Sequence, residues 1–189
     1  MGAASTQDAN ALQMQQISMT YSKRHILLLT LIAWLSMLGF DFFLHAGLFA
    51  GLYLKPSPFL LPSQTAFRLI PVGYLSFLLS AILLAWLMIR LKLTDWRAGA
   101  IFGLELGGLT WGSLTLGLLS ISTANFYLLM GWFIGQTLEM GIAGAVIGSG
   151  LAGVRLRRLF GQVIIFVLLS VIITIILQTL GMVPTIRLE

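Results

Sequence analysis

Five long apolar runs, separated by short polar breaks, occupy most of the chain after residue 22. They cover about 25–54, 70–91, 98–121, 126–153 and 161–183. Each run is long enough to cross a hydrocarbon core of about 30 Å as a helix. The breaks carry proline, polar or basic residues, which are typical of turns between spans. The pattern therefore predicts an all-α, polytopic membrane bundle of five transmembrane helices.

The segment before the first run differs from the rest of the chain. Residues 1–22 are rich in Gln, Ser, Ala and Thr and show no hydrophobic period, so we expect a disordered polar tail there. Residues 23–189 then form a single transmembrane domain, because the chain has no room for a separate soluble domain of ordinary size.

Composition supports the membrane interpretation and excludes several other classes. The 189 residues are 58% hydrophobic and 9% charged, whereas soluble domains carry about 25% charged residues. The net charge of +5 does not indicate a nucleic-acid partner, because the basic residues cluster at the ends of apolar runs, where they orient a chain in a lipid bilayer. The absence of cysteine excludes disulfides and thiolate chemistry. The GxGxxG string at residues 148–153 ends a predicted membrane helix and follows no strand, so we interpret it as small-residue packing and expect no cofactor.

Basic residues flank the runs unevenly, which predicts the orientation. The positive-inside rule places the N-terminus in the cytoplasm and the C-terminus outside. Binding of anionic lipid head groups is a second interpretation of the three arginines after the fourth run. The cytoplasmic group is Lys23, Arg24, Arg90, Lys92, Arg97, Arg155, Arg157 and Arg158, and the outer group is Lys55, Arg68 and Arg187.

Two glutamates lie in the third and fourth runs, which are joined by a short polar break. In an antiparallel pair closing near residues 122–125, Glu105 and Glu139 are within about one turn of each other in depth. Both share a face with glycines, so we expect both to turn toward protein and to lie close together. Two carboxylates cannot both stay ionised at low cost in a low dielectric. They are either hydrogen-bonded structural groups, with Gln136 among the available partners, or a proton- or cation-handling pair.

Glycines recur at small-xxx-small spacing through the same two runs. Such rows let helix backbones approach closely, which is a main source of packing energy in lipid. We expect the rows to pack helices within the chain, and also against a second copy or a partner membrane subunit. The predicted packing glycines are Gly99, Gly103, Gly107, Gly108, Gly112, Gly131, Gly135, Gly144 and Gly148.

The first run contains the other ionisable pair, Asp41 and His45, which lie on one face at i, i+4 spacing. Counted from the middle of each span, Asp41 and Glu139 are near the midplane, His45 is toward the outer side and Glu105 toward the inner side. The four groups form a string that is staggered in depth, which is consistent with a proton or cation relay. The alternative for His45 alone is a hydrogen-bonded structural histidine. This spread in depth argues against one shared metal centre, so we predict no metal site.

The residues around this pair resemble a known kind of protein. The stretch Phe40-Asp41-Phe42-Phe43-Leu44-His45, with Tyr53 following, is similar to uncharacterised families of small bacterial membrane proteins with four or five spans. The resemblance implies a multi-pass protein of the bacterial inner (cytoplasmic) membrane.

Together these features favour a small integral membrane protein with a buried carboxylate site, engaged in proton- or cation-coupled transport. The alternative is a structural or accessory subunit of a larger membrane complex, docking through glycine-rich helix faces. An enzyme acting on lipid is less well supported, since no nucleophile or metal constellation accompanies the carboxylates.

Overall fold

The chain folds into a bundle of long helices. The structure, a computed structural model, describes residues 21–54 and 57–184. Its elements are α1 (Lys23–Phe42), a π-helical turn (Phe43–Leu48), α2 (Ala50–Tyr53), α3 (Ser63–Arg90), α4 (Trp96–Ile121), α5 (Phe126–Leu151) and α6 (Leu156–Thr179). All the regular structure of the described residues is helical, which confirms the predicted all-α class. Residues 1–20 of the predicted tail, together with Lys55 and Arg187, lie outside the described residues.

Four of the described helices are long and apolar enough to cross a membrane, as expected of an integral membrane protein. They are Lys23–Leu48, which joins α1 to the π-helical turn, Gln64–Arg90 of α3, α4 and α6. The fifth long helix, α5, has the same length as α4 but contains Gln136 and Glu139 in its middle. It is also the helix that the others surround, since α1, α3, α4 and α6 all contact it.

Two helices differ from the predicted boundaries because of local backbone chemistry. The first run is one helix only to Phe42 and then widens into the π-helical turn. The second helix begins at Ser63 rather than near residue 70, because Pro62 takes the extended conformation that precedes a helix (φ −52°, ψ 143°). Pro71 therefore lies inside α3 rather than at its start.

The α4–α5 hairpin begins each of its helices with a side-chain cap. The Asp95 carboxylate accepts hydrogen bonds from the backbone N–H groups of Arg97 (2.9 Å) and Ala98 (3.1 Å). At the start of α5, the Asn125 side chain accepts one from the N–H of Tyr127 (2.8 Å). These caps satisfy donors that would otherwise be unpaired at a helix start.

Glycines bring α4 and α5 into direct backbone contact. A Cβ at Gly103 would lie 2.1 Å from the carbonyl oxygen of Met140, and one at Gly144 would lie 2.0 Å from that of Gly99. A Cβ at Gly107 would lie 2.9 Å from the Cβ of Met140 and 3.0 Å from the Cα of Thr137, which is a looser but still tight contact. The two helices therefore pair in the antiparallel register that the sequence predicts, through the glycine stripe 99–103–107.

The apolar core lies where α1, α3 and α5 meet. Met37, Leu84, Met88 and Ile147 are each 0% exposed there. The sixth helix packs against α1, where Gly39 lies directly over Val167. In contrast, α4 packs extensively on α5 alone among the described elements, so most of its surface faces outward.

The glycine contact provides a test of this packing. The Gly103→Ala substitution should lower the free energy of unfolding by about 1–3 kcal/mol, because the new methyl group overlaps the Met140 carbonyl and the helices must separate. The measurement is reversible unfolding in mixed detergent micelles. Gly117→Ala, on the same helix with nothing within 4 Å of the new Cβ, is the matched control and should change stability little. Equal effects of the two substitutions would contradict the backbone contact.

Candidate functional site

The site begins with an ion-pair geometry at the end of α1. Asp41 lies in the last turn of α1 and His45 in the π-helical turn that follows. The Nε2 atom of His45 is 3.4 Å from Oδ1 of Asp41, and the two side chains are 19% and 13% exposed, respectively. The predicted pairing of these residues across one helical turn is therefore present.

The π-helical turn that carries His45 is held by contacts from α6. The backbone N–H of Phe49 donates to the carbonyl of Leu44 (2.6 Å), the wider hydrogen bond of a π-turn. The Gln178 side chain donates to the carbonyl of Ala46 (2.8 Å), and Gly47 leaves room for Thr174. Side-chain capping from α6 thus stabilises an otherwise uncommon backbone, of the kind often found at functional sites.

A third group reaches the pair from the central helix. Glu139 of α5 is 0% exposed, and its Oε1 accepts a hydrogen bond from Nε2 of Gln136 (3.1 Å). Its other oxygen, Oε2, is buried and has no hydrogen-bond partner among the described residues. One ligand atom from each of Asp41, His45 and Glu139 lies within 4.8 Å of the others. The depth argument against one shared centre is therefore wrong for these three residues.

Two aromatic residues extend the site beyond His45. The indole N–H of Trp132 donates to the Tyr53 hydroxyl oxygen (2.7 Å), and this oxygen is 2.5 Å from Nδ1 of His45. The indole N–H can only donate, whereas the Tyr53 oxygen has two lone pairs and can accept from both Trp132 and Nδ1. Which of Tyr53 and His45 donates in their shared hydrogen bond follows the tautomer of the imidazole. The side chains of Trp132, Tyr53, His45 and Asp41 thus form one connected series of polar contacts.

Small residues of α5 make room for this arrangement. A Cβ at Gly131 would meet Leu52 at 3.1 Å, and one at Gly135 would meet Leu44 at 3.1 Å and Nε2 of His45 at 3.9 Å. These two predicted packing glycines therefore lie against the π-helical turn and α2. They allow the α1 segment to approach α5 closely enough for His45 to reach Glu139.

Glu105 does not belong to this site, and the prediction that it meets Glu139 inside the protein is wrong. It lies at the predicted depth, between Gly103 and Gly107, but its side chain is exposed. Glu105 is about 200° around the helix from Gly103, at about 100° per residue, so the stripe that contacts α5 turns the glutamate outward. The sequence grouped Glu105 with Gly108 and Gly112, where a Cβ would make only ordinary or slightly tight contacts (3.9 and 3.4 Å).

The predicted basic cluster lies at the opposite end of α5 from the turn that joins it to α4. Arg155, Arg157 and Arg158 are exposed and, with Gly153 and Val154, line an open depression of about 630 Å³. Close by, Gly148 packs against the Asp95 carbonyl at the start of α4, where a Cβ would come within 2.3 Å. The nine predicted packing glycines thus all make contacts within this chain.

Sequence reasoning identified part of the support around the site. Gln136 was among the predicted partners of a buried carboxyl, and it does bond to Glu139. Tyr53 entered only through a resemblance, and Trp132 was not predicted as a site residue. The signal for Tyr53 is its spacing of eight residues from His45, which two helical turns would bring to one side. No comparable signal marks Trp132, since its partner is distant in sequence.

These features define the class of the protein as an all-helical, membrane-type bundle with a carboxylate–histidine cluster between the end of α1 and α5. Comparison of the chain with protein-family models, with curated proteins and with solved structures gives no match.

The aromatic support can be tested by removing one oxygen. Tyr53→Phe should lower the free energy of unfolding by about 1–3 kcal/mol, because the Trp132 indole N–H and His45 Nδ1 both lose their partner in a part-buried site. Tyr127→Phe is the control, since the Tyr127 ring is 69% exposed. Unfolding in detergent, followed by circular dichroism, measures both. A Tyr53→Phe protein as stable as the control would show that the three groups are not bonded.

Proposed function

We propose that the protein crosses the membrane five times, with α5 as the central span, and moves a proton or another cation past the Asp41–His45–Glu139 cluster. The observation that carries this proposal is the carboxylate of Glu139, which is fully buried and has one oxygen without a partner among the described residues. An ionisable residue within membrane-spanning helices is by default a functional-site hypothesis.

The cost of burying these groups favours a mobile cation over a purely structural role. A charged group at the bilayer centre costs about 2.5–3.5 kcal/mol on insertion scales. A structural carboxyl in a low dielectric is stabilising only when all of its hydrogen-bonding capacity is used. Gln136 satisfies one oxygen of Glu139 and leaves the other free. A cation shared with Asp41 and His45 would satisfy the remaining oxygen and cancel the negative charge.

The arrangement of the helix ends supports the proposed orientation. The Tyr21 hydroxyl donates to the carbonyl of Leu151, so the start of α1 lies beside the end of α5. The packing of Gly148 on Asp95 brings the start of α4 to the same end. Three basic clusters flank these points, and they therefore gather at one end of the bundle. The positive-inside rule assigns that end to the cytoplasm, in a bacterial inner membrane by the resemblance above.

Flux through purified protein in liposomes is the direct test. Wild-type protein should carry protons or a metal cation down an imposed gradient, reported by a dye inside the vesicles. Glu139→Gln should reduce this flux to the level of empty vesicles, because the neutral amide cannot bind or release the cation. Asp41→Asn should have the same effect.

Glu105→Gln is the matched control, since it makes the same chemical change at the same depth on the outward face of α4. Its flux should equal that of the wild-type protein. Wild-type flux in Glu139→Gln, or equal loss in both glutamine variants, would contradict the proposal.

A second candidate function, that of an accessory subunit or self-associating protein, is favoured by Glu105. Its side chain is exposed between apolar residues such as Ile101, Leu104 and Leu109, on a helix that packs extensively on α5 alone among the described elements. A carboxyl facing acyl chains is costly, and a neighbouring helix with a hydrogen-bond donor would relieve that cost. The glycine rows no longer support this role, because they pack helices inside the chain.

The mass of the protein in mild detergent tests this second role. On this hypothesis the wild-type protein migrates as an oligomer or with a partner chain, and Glu105→Leu dissociates it by removing the group that the partner binds. Glu105→Gln, which keeps hydrogen-bonding capacity, should remain associated. A wild-type protein that is a stable monomer would argue against the role.

A further inference from the structure

We propose that the cation bound by Asp41, His45 and Glu139 is a divalent transition-metal ion of the Zn²⁺, Mn²⁺ or Fe²⁺ class. This inference rests on the proposed function in taking the same cluster as the cation site, and it names the cation. It follows from the geometry of the three side chains, their chemical types and the groups behind them.

The distances are close to those of a metal site. A tetrahedral ion with bonds of about 2.1 Å holds its ligand atoms about 3.4 Å apart. Nε2 of His45 and Oδ1 of Asp41 are already 3.4 Å apart. The three ligand atoms lie within 4.8 Å of one another, so the Glu139 carboxylate closes the site by a small movement of its flexible side chain.

The ligand types indicate the class of ion. Imidazole nitrogen suits Zn²⁺ and iron, carboxylate oxygen suits Mn²⁺, and a site without sulfur is a poor one for Cu⁺. Ca²⁺ and Mg²⁺ prefer oxygen ligands alone. Two carboxylates and one neutral imidazole also match a divalent charge, so that the filled site is electrically neutral within the membrane.

The unpartnered oxygen of Glu139 points to a ligand independently of the cluster itself. Glu139 is 0% exposed, and Oε2 finds no hydrogen-bond donor among the described residues although Gln136 reaches Oε1. Buried polar atoms without partners are rare in proteins and call for an ion, a water or a functional role. A metal ion is a partner that all three side chains can share.

Tyr53 and Trp132 supply the outer support typical of a metal-bound histidine. Such a histidine commonly donates its second ring N–H to an oxygen that fixes its orientation. For His45 this oxygen is the Tyr53 hydroxyl, 2.5 Å from Nδ1, which Trp132 in turn holds in place. Metal binding through Nε2 selects the tautomer in which Nδ1–H donates to Tyr53, whose oxygen has a second lone pair for it.

The site is also accessible. Gly135 lets the π-helical turn approach α5, since a Cβ there would meet Leu44 at 3.1 Å and lie 3.9 Å from Nε2 of His45. Asp41 and His45 remain partly exposed, so the cluster is not sealed within the bundle. Three protein ligands leave a coordination position open, as in sites where an ion is exchanged or reacts.

Metal titration of the purified full chain tests the proposal. The protein is prepared without a polyhistidine tag, stripped with a chelator and titrated with Co²⁺, whose visible absorption reports coordination, followed by displacement with Zn²⁺. About one ion per chain is expected. Glu139→Gln and His45→Asn should weaken binding by about 100-fold or more, and Tyr53→Phe, which keeps all three ligands, by about 10–100-fold.

Matched controls separate this site from other metal-binding groups. Glu105→Gln and His25→Asn, which alter the exposed glutamate and the other histidine of the chain, should leave the affinity unchanged. Size-exclusion profiles identify any variant that has unfolded, and Tyr53→Phe tests the site with its ligands intact. Absence of a bound ion in the wild-type protein, binding unaffected by the Glu139 and His45 variants, or equally tight binding of Ca²⁺ would overturn the proposal.

The liposome assay distinguishes failure of this inference from failure of the proposed function. Proton flux without metal binding would overturn the metal site and leave the transport function standing. Metal binding without flux of any cation would support the site and overturn transport. Absence of both would overturn both.

Discussion

The close approach of α4 to α5 determines which faces of the central helix remain for everything else. Gly99 and Gly103 of α4 lie against the backbone of Gly144 and Met140 of α5, and Gly107 lies against Thr137 and the Met140 side chain. In lipid there is little hydrophobic force between helices, so such direct packing provides much of the association energy. Because α4 occupies this face of α5, the face that carries Gly131, Gly135 and Glu139 is left for the first helix. The position of the buried carboxylate thus follows from a packing contact that it does not itself make.

The π-helical turn then brings His45 and Tyr53 to that face. In an α-helix, residues 43–48 would each advance by about 100° around the axis. The wider π-helical turn advances them by less per residue, so the residues after Asp41 face a different direction from the one a regular helix would give them. Gln178 and Thr174 of α6 stabilise the turn from behind. The three ligand-type atoms, the Tyr53–Trp132 support and the room left by Gly135 therefore depend on contacts from α2, α5 and α6 together. A cluster built on several helices can respond to their relative movement, which suits the proposed cation pathway.

The sequence predicted the fold class, the Asp41–His45 pair, the antiparallel register of α4 and α5, and the packing glycines. The sequence predicted the depth of Glu105 correctly, because the position of the loop sets the register of the two helices. It predicted the wrong face, because that face depends on which row of glycines contacts α5. Two rows of glycines in α4, 99–103–107 and 108–112, could each have packed closely on α5. Only the three-dimensional structure shows that the first row makes the close contact. The π-helical turn could not be predicted from its own residues, since the contacts that stabilise it come from the distant residues of α6. For the same reason, a depth count along straight helices could not show that Asp41, His45 and Glu139 meet.

Glu139 and Glu105 lie at similar depth, but their surroundings differ, and so does the kind of partner that could stabilise each carboxyl group. Glu139 is surrounded by protein, so the partners of its two oxygens must lie inside the bundle, and Gln136 supplies a hydrogen bond to only one of them. Glu105 is on the outer face of a helix with one main neighbour, so whatever relieves it must come from outside the chain. A cation bound inside the bundle would stabilise Glu139, and a helix from outside the chain would stabilise Glu105. The proposed transport through the cluster and the alternative of association through α4 are consequently compatible, since neither uses the residues on which the other depends.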